Sequence, residues 1–368
     1  MTVVDLTAEA ERLGTTLLPV AETGTPGRVN RELVSALAAA GLFDRIFSDD
    51  GVTATDLCRV RQGLARVCTE AETALAVQGL GGAPIQLFGS PTTKERWMPA
   101  IRSGAAVAAF ALTEPGAGSD AAALSLRAEK DGNGYRLHGE KAYISNAPEA
   151  DVAVVFGRTT EDAGSRGVTA FAVDMTIDGI SGESIPMVSP HPLGRWRFDG
   201  ALVPEDALLG EQDQGYSVAM QTLDLYRPSV GAFALGMAEA ALRIAVEHSR
   251  SREAFGAPIA EYQGVAHQLA DARVAIEAAT HLVYSAAKAY DSGDRETLTG
   301  KAAMAKLHAT EVAQRVVDMA IQVLGARGLE ADSTLAHLYA EVRAPRIYEG
   351  TSEIQRNIIA RELLRGRI

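Results

Sequence analysis

The chain has 368 residues, more than one hydrophobic core usually organises, so we expect two or three domains. Hydrophobic residues make up 47% of the sequence and charged residues 22%, a balance that excludes a disordered or supercharged protein. The 35 basic residues are outnumbered by 47 acidic ones, and the formal charge of −12 makes nucleic acid an unfavourable partner.

The first part of the chain has a helical pattern interrupted by polar turns. Leu33 and Leu37 follow a helix start signal at Asn30 and share one face of a helix. The pattern over residues 54–78 predicts a further, continuous helix. We therefore assign residues 1–107 to an N-terminal helical domain.

The middle of the chain has the texture of β structure. Residues 131–134 combine Asp, Gly and Asn and predict a hairpin turn, because Gly and Asn tolerate the positive φ of tight hairpins. Residues 152–156 and 169–173 are short β-branched or aromatic runs, which predict strands. Several prolines then argue against helix from residue 186 to 206. We assign residues 108–213 to a middle β domain.

The helical period returns at the end of the β domain and persists to the end of the chain. Three apolar stripes at three- and four-residue spacing predict long helices that pack as a bundle. These stripes are Phe233, Met237, Ala241 and Ile244; then Val265, Leu269, Ala272, Ile276, Ala279 and Val283; then Met304, Leu307, Val312, Val316, Met319 and Val323. The predicted fold class is α+β with several domains, in which residues 214–368 form a C-terminal four-helix bundle.

Several features of the sequence indicate where in the cell the protein works. No uninterrupted apolar run approaches the roughly 20 residues that span a bilayer. The segment from Met1 to Glu9 lacks the basic residues of a secretory signal, so we expect a cytoplasmic protein. Cys58 and Cys68, if they share one helix, lie about 15 Å apart, too far for a disulfide. We expect both to be small buried hydrophobic residues.

One glycine-rich segment could serve a cofactor. Residues 116–121 fit the G-x-G-x-x-A form of the dinucleotide fingerprint, but the turn at Asp131 comes too soon for the long helix of a βαβ unit. Two interpretations stay open. The segment is either a purely structural turn, or a loop whose backbone N–H groups, together with Thr113 and Ser119, approach a cofactor closely.

Metal chemistry finds little support in the sequence. None of the seven histidines has a glutamate three residues before it, so the Glu-x-x-His pairs of a di-iron bundle are missing. The sequence contains no His-Glu-x-x-His, P-loop or Gly-x-Ser-x-Gly motif, and we expect no metal site. Residues 346–356 place Glu349 beside glycine and threonine ahead of a final helix, which in isolation is consistent with a helix cap.

Taken together, five segments resemble the motifs of a known family, the flavin-dependent acyl-CoA dehydrogenases. In chain order they are residues 109–120, 137–146, 252–256 with 262–263, 322–325 and 347–351. The predicted order of helical, β and helical domains is also that family's architecture. The family's motifs in this order are highly specific.

The resemblance implies FAD as the cofactor, with its isoalloxazine ring between the β domain and the C-terminal bundle. One set of residues would contact the flavin, and Thr113 and Ser145 would offer hydroxyls to its polar edge. This set is Leu112, Thr113, Gly118, Ser119, Tyr143 and Ser145. A second set would hold the pyrophosphate and adenosine, partly across a subunit boundary, which implies a homodimer or homotetramer. It comprises Arg252, Phe255, Gln263, Gln322, Gly325, Thr351 and Glu353.

The reaction implied is α,β-dehydrogenation of an acyl thioester carried by CoA or by a carrier protein, with an acceptor such as electron-transfer flavoprotein. Glu349 matches the position of the usual catalytic base. Some members place that base on the first long C-terminal helix, where this chain has Tyr226, which is no carboxylate. The implied substrate contacts are Ser119, Tyr226, Arg227, Tyr348 and Gly350. Two alternatives stay open: an oxidase or monooxygenase on the same fold, and a flavin-free helical interaction protein.

Overall fold

The computed structural model describes residues 5–48 and 53–368, and its elements follow the predicted order of helices, strands and helices. Residues 1–4, at the start of the predicted N-terminal domain, lie outside the described residues. The helices that precede the sheet are α1 (Leu6–Ala21), α2 (Arg31–Ala39), α3 (Leu42–Ile46), α4 (Ala54–Ala65), α5 (Thr69–Phe88) and α6 (Pro91–Arg102). The side chain of Asn30 accepts a hydrogen bond from the N–H of Leu33 (3.0 Å), which confirms the predicted start of α2.

The predicted continuous helix over residues 54–78 is wrong, because the chain breaks between α4 and α5. The N–H of Arg66 bonds to a carbonyl three residues back, so the last turn of α4 tightens and ends the helix. The Sγ of Cys68 then accepts a hydrogen bond from the N–H of Ala71 (3.4 Å) at the start of α5. Both cysteines are buried and free, as predicted.

Seven strands form one sheet: β1 (Ala108–Ala111), β2 (Arg127–Asp131), β3 (Gly134–Ser145), β4 (Val152–Arg158), β5 (Val168–Asp174), β6 (Ile180–Ser184) and β7 (Leu193–Pro204). The strand order is β1-β4-β2-β3-β7-β6, and β5 pairs with β4. The predicted turn at residues 131–134 is confirmed, since it joins β2 to β3 with Asp131 opposite Gly134. β4 and β5 are buried along almost their whole length. Along β7, which pairs with β3, buried and exposed residues alternate.

The C-terminal region contains α7 (Gly215–Ser251), α8 (Gln263–Asp291), α9 (Leu298–Leu324), α10 (Thr334–Glu341) and α11 (Ser352–Leu364), with a small hairpin of β8 (Glu253–Ala254) and β9 (Ala257–Pro258) after α7. Much of each predicted stripe faces the core. In α8, Ala272, Ile276 and Val283 are buried, whereas Val265 and Leu269 near the start of the helix are only part-buried. The bundle seam therefore covers the C-terminal part of α8 better than its beginning.

By length and composition, α7 is apolar enough to cross a membrane, and it is the one helix in the described ranges that passes this test. In its most apolar window, 78% of the residues are buried inside the protein. Core helices pass the same test, so this result is weak evidence for a membrane span.

Among the described residues, the chain forms two compact units. The first takes its residues from Met1–Thr16, Thr53–Glu72 and Asp224–Ile368, and the second takes its residues from Leu17–Val52 and Thr73–Leu223. Helix α4 thus belongs to the same unit as the C-terminal bundle. The predicted domain limits remain a prediction.

Candidate active site

The turn that carries Glu349 lies just before α11 and has an unusual backbone. Glu349 has φ 52° and Gly350 has φ 95°, so both adopt the left-handed region. A Cβ atom at Gly350 would also come within 2.6 Å of the amide nitrogen of Gln355, so the position requires glycine. Thr351 then caps α11, because its Oγ1 accepts a hydrogen bond from the N–H of Ile354 (3.3 Å).

Three side chains hold the carbonyl oxygens of this turn. Arg227 of α7 donates to the carbonyl of Glu349 (3.4 Å). The amide of Gln355 donates to the carbonyls of Glu349 (3.2 Å) and Gly350 (3.0 Å). Lys306 of α9, which is fully buried, donates from Nζ to the carbonyl of Gly350 (2.6 Å). Because a left-handed turn at a non-glycine residue costs free energy, such supports are what allow it to persist.

The Glu349 carboxylate itself is incompletely satisfied. Its Oε2 is buried and has no hydrogen-bond partner among the described residues. Burial raises the pKa of Glu349, while the positive charges of Arg61, Arg227 and Lys306 lower it. A carboxylate oxygen without a partner and with a raised pKa is suited to accept a proton from a substrate.

A buried ion pair lies near this carboxylate. Arg61 of α4 is 3% exposed and pairs with the fully buried Glu72 of α5. Arg61 also donates to the Oγ of Ser229 (2.6 Å). The neighbouring Tyr226 is 2% exposed, and burial raises its pKa far above the usual range of a phenol, so it stays protonated. Within this cluster, Glu349 therefore remains the candidate base.

In the second unit, the loop after β1 packs against the end of β3. The N–H of Ala142 donates to the carbonyl of Thr113 (3.0 Å). The buried Lys141 donates to the carbonyl of Leu112 (3.0 Å) and to the carboxylate of Glu114 (2.8 Å). These contacts bring two of the predicted flavin residues, Leu112 and Thr113, to the strand that carries two more.

Those two residues, Tyr143 and Ser145, lie at the end of β3. An irregularity in the pairing with β7 accompanies Tyr143, which has φ 57° and a side chain that is 59% exposed. The Oγ of Ser145 lies 2.8 Å from the Nε2 of His191. A Cβ at Gly116 would meet nothing within 4 Å, and a Cβ at Gly118 only a methyl group at 4.0 Å. The loop therefore leaves open space beside its backbone.

Three residues of the second predicted set lie on or beside the exposed hairpin after α7. Phe255, at its tip, has φ 52° and is 99% exposed. Its ring meets that of Tyr262 edge-on, with centroids 6.4 Å apart, and the Tyr262 hydroxyl donates to the carbonyl of Ala254 (2.9 Å). Arg252 and Gln263 flank the hairpin and are exposed.

Gln322 and Gly325 lie where α9 ends, and Gly325 has φ 63°. Burial lowers the pKa of His248, and the charges of Arg327, just after Gly325, and Arg252, just before the hairpin, lower it further. The end of α9 and the base of the hairpin are therefore close enough to share one basic surface. Such a surface favours the binding of a phosphate group.

Thr351 and Glu353 lie elsewhere in this unit, at the start of α11 and next to the Glu349 turn. Glu353 is exposed, and hydrogen bonds at the start of the helix lower its pKa. Tyr348, which directly precedes Glu349, is 37% exposed. Among the predicted residues of this unit, the side chain of Arg227 donates to the carbonyl of Glu349, which Gly350 directly follows.

The chain matches the three domains of one known protein family along nearly its whole length. The N-terminal, middle and C-terminal domains of acyl-CoA dehydrogenase match residues 7–105, 109–200 and 213–364. Over 353 residues the chain is 35% identical to cyclohexane-1-carbonyl-CoA dehydrogenase from Geobacter metallireducens, and the match covers 94% of this chain and 92% of that protein. The chain belongs to the acyl-CoA dehydrogenase family.

Solved structures share the architecture of this acyl-CoA dehydrogenase. The butyryl-CoA dehydrogenase of Megasphaera elsdenii matches it with a TM-score of 0.91 at 32% identity, over 99% of both chains. A chain solved in work on the electron-transferring flavoprotein of Acidaminococcus fermentans matches it with a TM-score of 0.92 at 31% identity, also over 99% of both chains. The predicted family and fold class are thereby confirmed. The enzyme is an FAD-dependent oxidoreductase that acts on acyl-CoA.

The residues present in the dehydrogenase fit FAD. The open space beside Gly116 and Gly118 admits a close approach to the backbone, and Thr113 contacts β3 at Ala142, three residues before Ser145. Arginine side chains suit a pyrophosphate because their planar donors make paired charge-assisted hydrogen bonds. Of the two interpretations of the glycine-rich segment, this open space favours the loop that approaches a cofactor closely.

Sequence reasoning missed several residues of these clusters. Lys306 carried a usable signal, because a lysine that shares a helix face with Ala302, Ala309 and Ala313 is out of place unless it has a buried partner. Gln355 carried no comparable signal, since its role depends on the fold of the preceding turn. His191 lies outside the five family motifs, and its contact with Ser145 joins residues 46 positions apart.

Proposed function

We propose that this dehydrogenase oxidises the Cα–Cβ bond of a short acyl-CoA, with Glu349 as the catalytic base. The observation that carries this proposal is the buried, unpartnered Oε2 of Glu349, on a turn whose carbonyls are held by Arg227, Lys306 and Gln355. A base must be held in place and free to accept a proton, and Glu349 meets both conditions.

In the proposed reaction, the Glu349 carboxylate takes the α proton as the Cα–H bond breaks. The electron pair of that bond forms the Cα=Cβ double bond while a hydride leaves Cβ, so the products are an enoyl thioester and a protonated Glu349. FAD, held by residues that include Thr113 and Ser145, would supply the two-electron acceptor for that hydride. The backbone N–H of Glu349 stabilises the negative charge that develops on the thioester oxygen.

The residues that contact the cofactor and the substrate follow from their positions in the family motifs. Flavin contacts come from Leu112, Thr113, Gly118, Ser119, Tyr143 and Ser145. Contacts to the pyrophosphate and adenosine come from Arg252, Phe255, Gln263, Gln322, Gly325, Thr351 and Glu353. Substrate contacts come from Ser119, Tyr226, Arg227, Tyr348 and Gly350. The exposed Phe255 and the flanking Arg252 support completion of the FAD site by a second copy of the chain, in a homodimer or homotetramer.

The relatives support a short acyl chain, since those named include butyryl-CoA dehydrogenase and short-chain specific acyl-CoA dehydrogenase. The structural match from work on an electron-transferring flavoprotein supports that kind of protein as the electron acceptor. An acyl carrier protein in place of CoA and oxygen in place of the flavoprotein are the alternatives. We also propose that the enzyme works in the cytoplasm.

The test of the base is anaerobic reduction of bound FAD by butyryl-CoA, followed by flavin absorbance. Glu349→Gln keeps the size of the side chain but removes the basic carboxylate, so the rate of flavin reduction should fall by about 10²–10⁴-fold or more. Glu349→Asp keeps a carboxylate and should retain part of the rate. FAD content and thermal unfolding should match the parent in both variants. Reduction of Glu349→Gln at the parental rate would show that another group is the base.

A further inference from the structure

The hydroxyl of Ser145 lies within hydrogen-bonding distance of His191, a residue that has no part in the proposed reaction. Ser145 is the last residue of β3 and pairs with Leu193 at the start of β7. His191 lies just before β7, and its Nε2 is 2.8 Å from the Oγ of Ser145. Both side chains are part-buried. The contact is therefore well within hydrogen-bonding distance at the end of the sheet.

The segment that carries His191 is held on both sides. The carbonyl of Pro190 accepts a hydrogen bond from the N–H of Gly27 (2.9 Å), and the carbonyl of Pro192 accepts one from the N–H of Asn146 (3.0 Å). Each proline fixes its own φ and restricts the residue before it. The imidazole is thus presented to the end of β3 by a backbone with little freedom.

We propose that His191 is a positioning residue, which holds the Ser145 hydroxyl in one orientation toward the polar edge of the flavin. The inference rests on the FAD contact of Ser145 given under the proposed function. A serine side chain otherwise occupies up to three χ1 rotamers, and its hydroxyl hydrogen rotates. Restricting both before FAD binds lowers the entropic cost of binding.

The imidazole acts here as a neutral hydrogen-bonding group. Burial lowers the pKa of His191 to about 4, so the ring carries no charge near neutral pH. A neutral ring has one donor and one acceptor nitrogen, and a serine hydroxyl can form a hydrogen bond with either kind. Loss of the ring should therefore change the hydrogen bonding of Ser145 without removing a charge from the site.

The test compares three substitutions of His191. His191→Phe keeps a flat ring and removes both nitrogens. His191→Gln places an amide at about the reach of Nε2, whereas His191→Asn is shorter and reaches only to the region of Nδ1. His138→Phe, on the same strand β3 as Ser145, is the matched control.

Two properties of the enzyme without substrate are measured: the Kd for FAD, by titrating the apoprotein and following flavin fluorescence, and the midpoint potential of the bound flavin. Loss of a neutral hydrogen bond predicts FAD binding about two- to tenfold weaker in His191→Phe and His191→Asn. Their potentials should shift in the same direction as that of Ser145→Ala. His191→Gln and His138→Phe should stay near the parent in both properties.

A double substitution separates positioning from a general structural role. With Ser145→Ala already present, His191→Phe should change the Kd and the potential no further, because the two residues act through one hydrogen bond. Parental values in His191→Phe, or its full effect in the Ser145→Ala background, would overturn the proposal. If His191→Phe does not fold, equal values for His191→Gln and His191→Asn would overturn it instead. None of these readouts involves the α proton, so failure of Glu349 as the base would be a separate result.

Discussion

Burial raises the pKa of Glu349 and three positive charges lower it; two of these charges, Arg227 and Lys306, also support its turn. Lys306→Met removes a charge that lowers the pKa of Glu349, so that pKa should rise. Because only the ionised carboxylate accepts a proton, the acid limb of the pH dependence of flavin reduction should move to higher pH. Rates should fall most at acidic pH and recover as the pH rises, and stopped-flow reduction by butyryl-CoA at a series of pH values measures this.

Lys306→Arg is the matched control because it keeps the charge. Burial lowers the pKa of Lys306 to about 8, so Lys306 carries its charge below about pH 8. In that pH range the acid limb of Lys306→Arg should stay near that of the parent. An acid limb in Lys306→Met that coincides with the parent's would mean that Lys306 supports the turn without tuning the base.

Among individual residues, the sequence could identify as site candidates those that belong to contiguous motifs. Glu349, Thr113 and Ser145 could be proposed because each lies in a run of residues that resembles a family motif. Lys306 and His191 could not be assigned a role, because their partners lie 44 and 46 positions away along the chain. A side chain's partner across such a distance depends on tertiary packing, which residue spacing does not report.

Among the helices, α4 depends on a distant carboxylate for its first turn. Asp291, the last residue of α8, accepts hydrogen bonds from the N–H groups of Ala54 (2.6 Å) and Thr55 (3.1 Å). These satisfy two of the donors that a helix start leaves free, and a negative charge there is favoured by the helix dipole. Asp291→Ala should therefore lower the free energy of unfolding by about 1 kcal/mol.

The measurement is urea unfolding at a fixed, saturating FAD concentration, since ligand binding contributes to apparent stability. Asp318→Ala, an exposed aspartate on α9, is the matched control and should leave the unfolding midpoint near the parent's. An Asp291→Ala midpoint equal to the control's would show that solvent replaces the carboxylate without cost.

Among the secondary-structure elements, a turn set by its own residues could be predicted, whereas a helix break and a contact between distant helices could not. The turn at residues 131–134 could be predicted because Gly and Asn fix its conformation locally. The break between α4 and α5 could not, because no glycine or proline occurs at Arg66, Val67 or Cys68 and the apolar pattern continues across it. The inclusion of α4 in the C-terminal unit depends on contacts with α8 that the sequence does not display.

For the whole molecule, the exposed hairpin is the strongest reason to expect association. Phe255 is 99% exposed and so contributes little to the stability of the single chain. Phe255→Ser should therefore leave thermal unfolding of the FAD-free, dissociated chain nearly unchanged, yet weaken self-association and the retention of FAD on gel filtration. Light scattering with a parallel flavin absorbance trace measures both quantities.

Val188→Ser, at another exposed apolar residue (88%) but in the other unit, is the control and should leave association and FAD content unchanged. A parent protein that is monomeric and still holds one FAD per chain would contradict the proposed role of a second copy. So would a Phe255→Ser variant that associates and retains FAD as the parent does.

The first compact unit takes residues from both ends of the chain, and this has a consequence for synthesis on the ribosome. Arg61 and its partner Ser229 are 168 residues apart, an interval that takes about 10–30 s to translate. Asp291, which satisfies the start of α4, follows Ala54 by 237 residues. During that time α4 emerges without the helices that bury it, whereas the second unit is complete once residue 223 has been made. The cluster around Glu349 is therefore among the last parts of the nascent chain to form, and its future core must stay protected from aggregation until then.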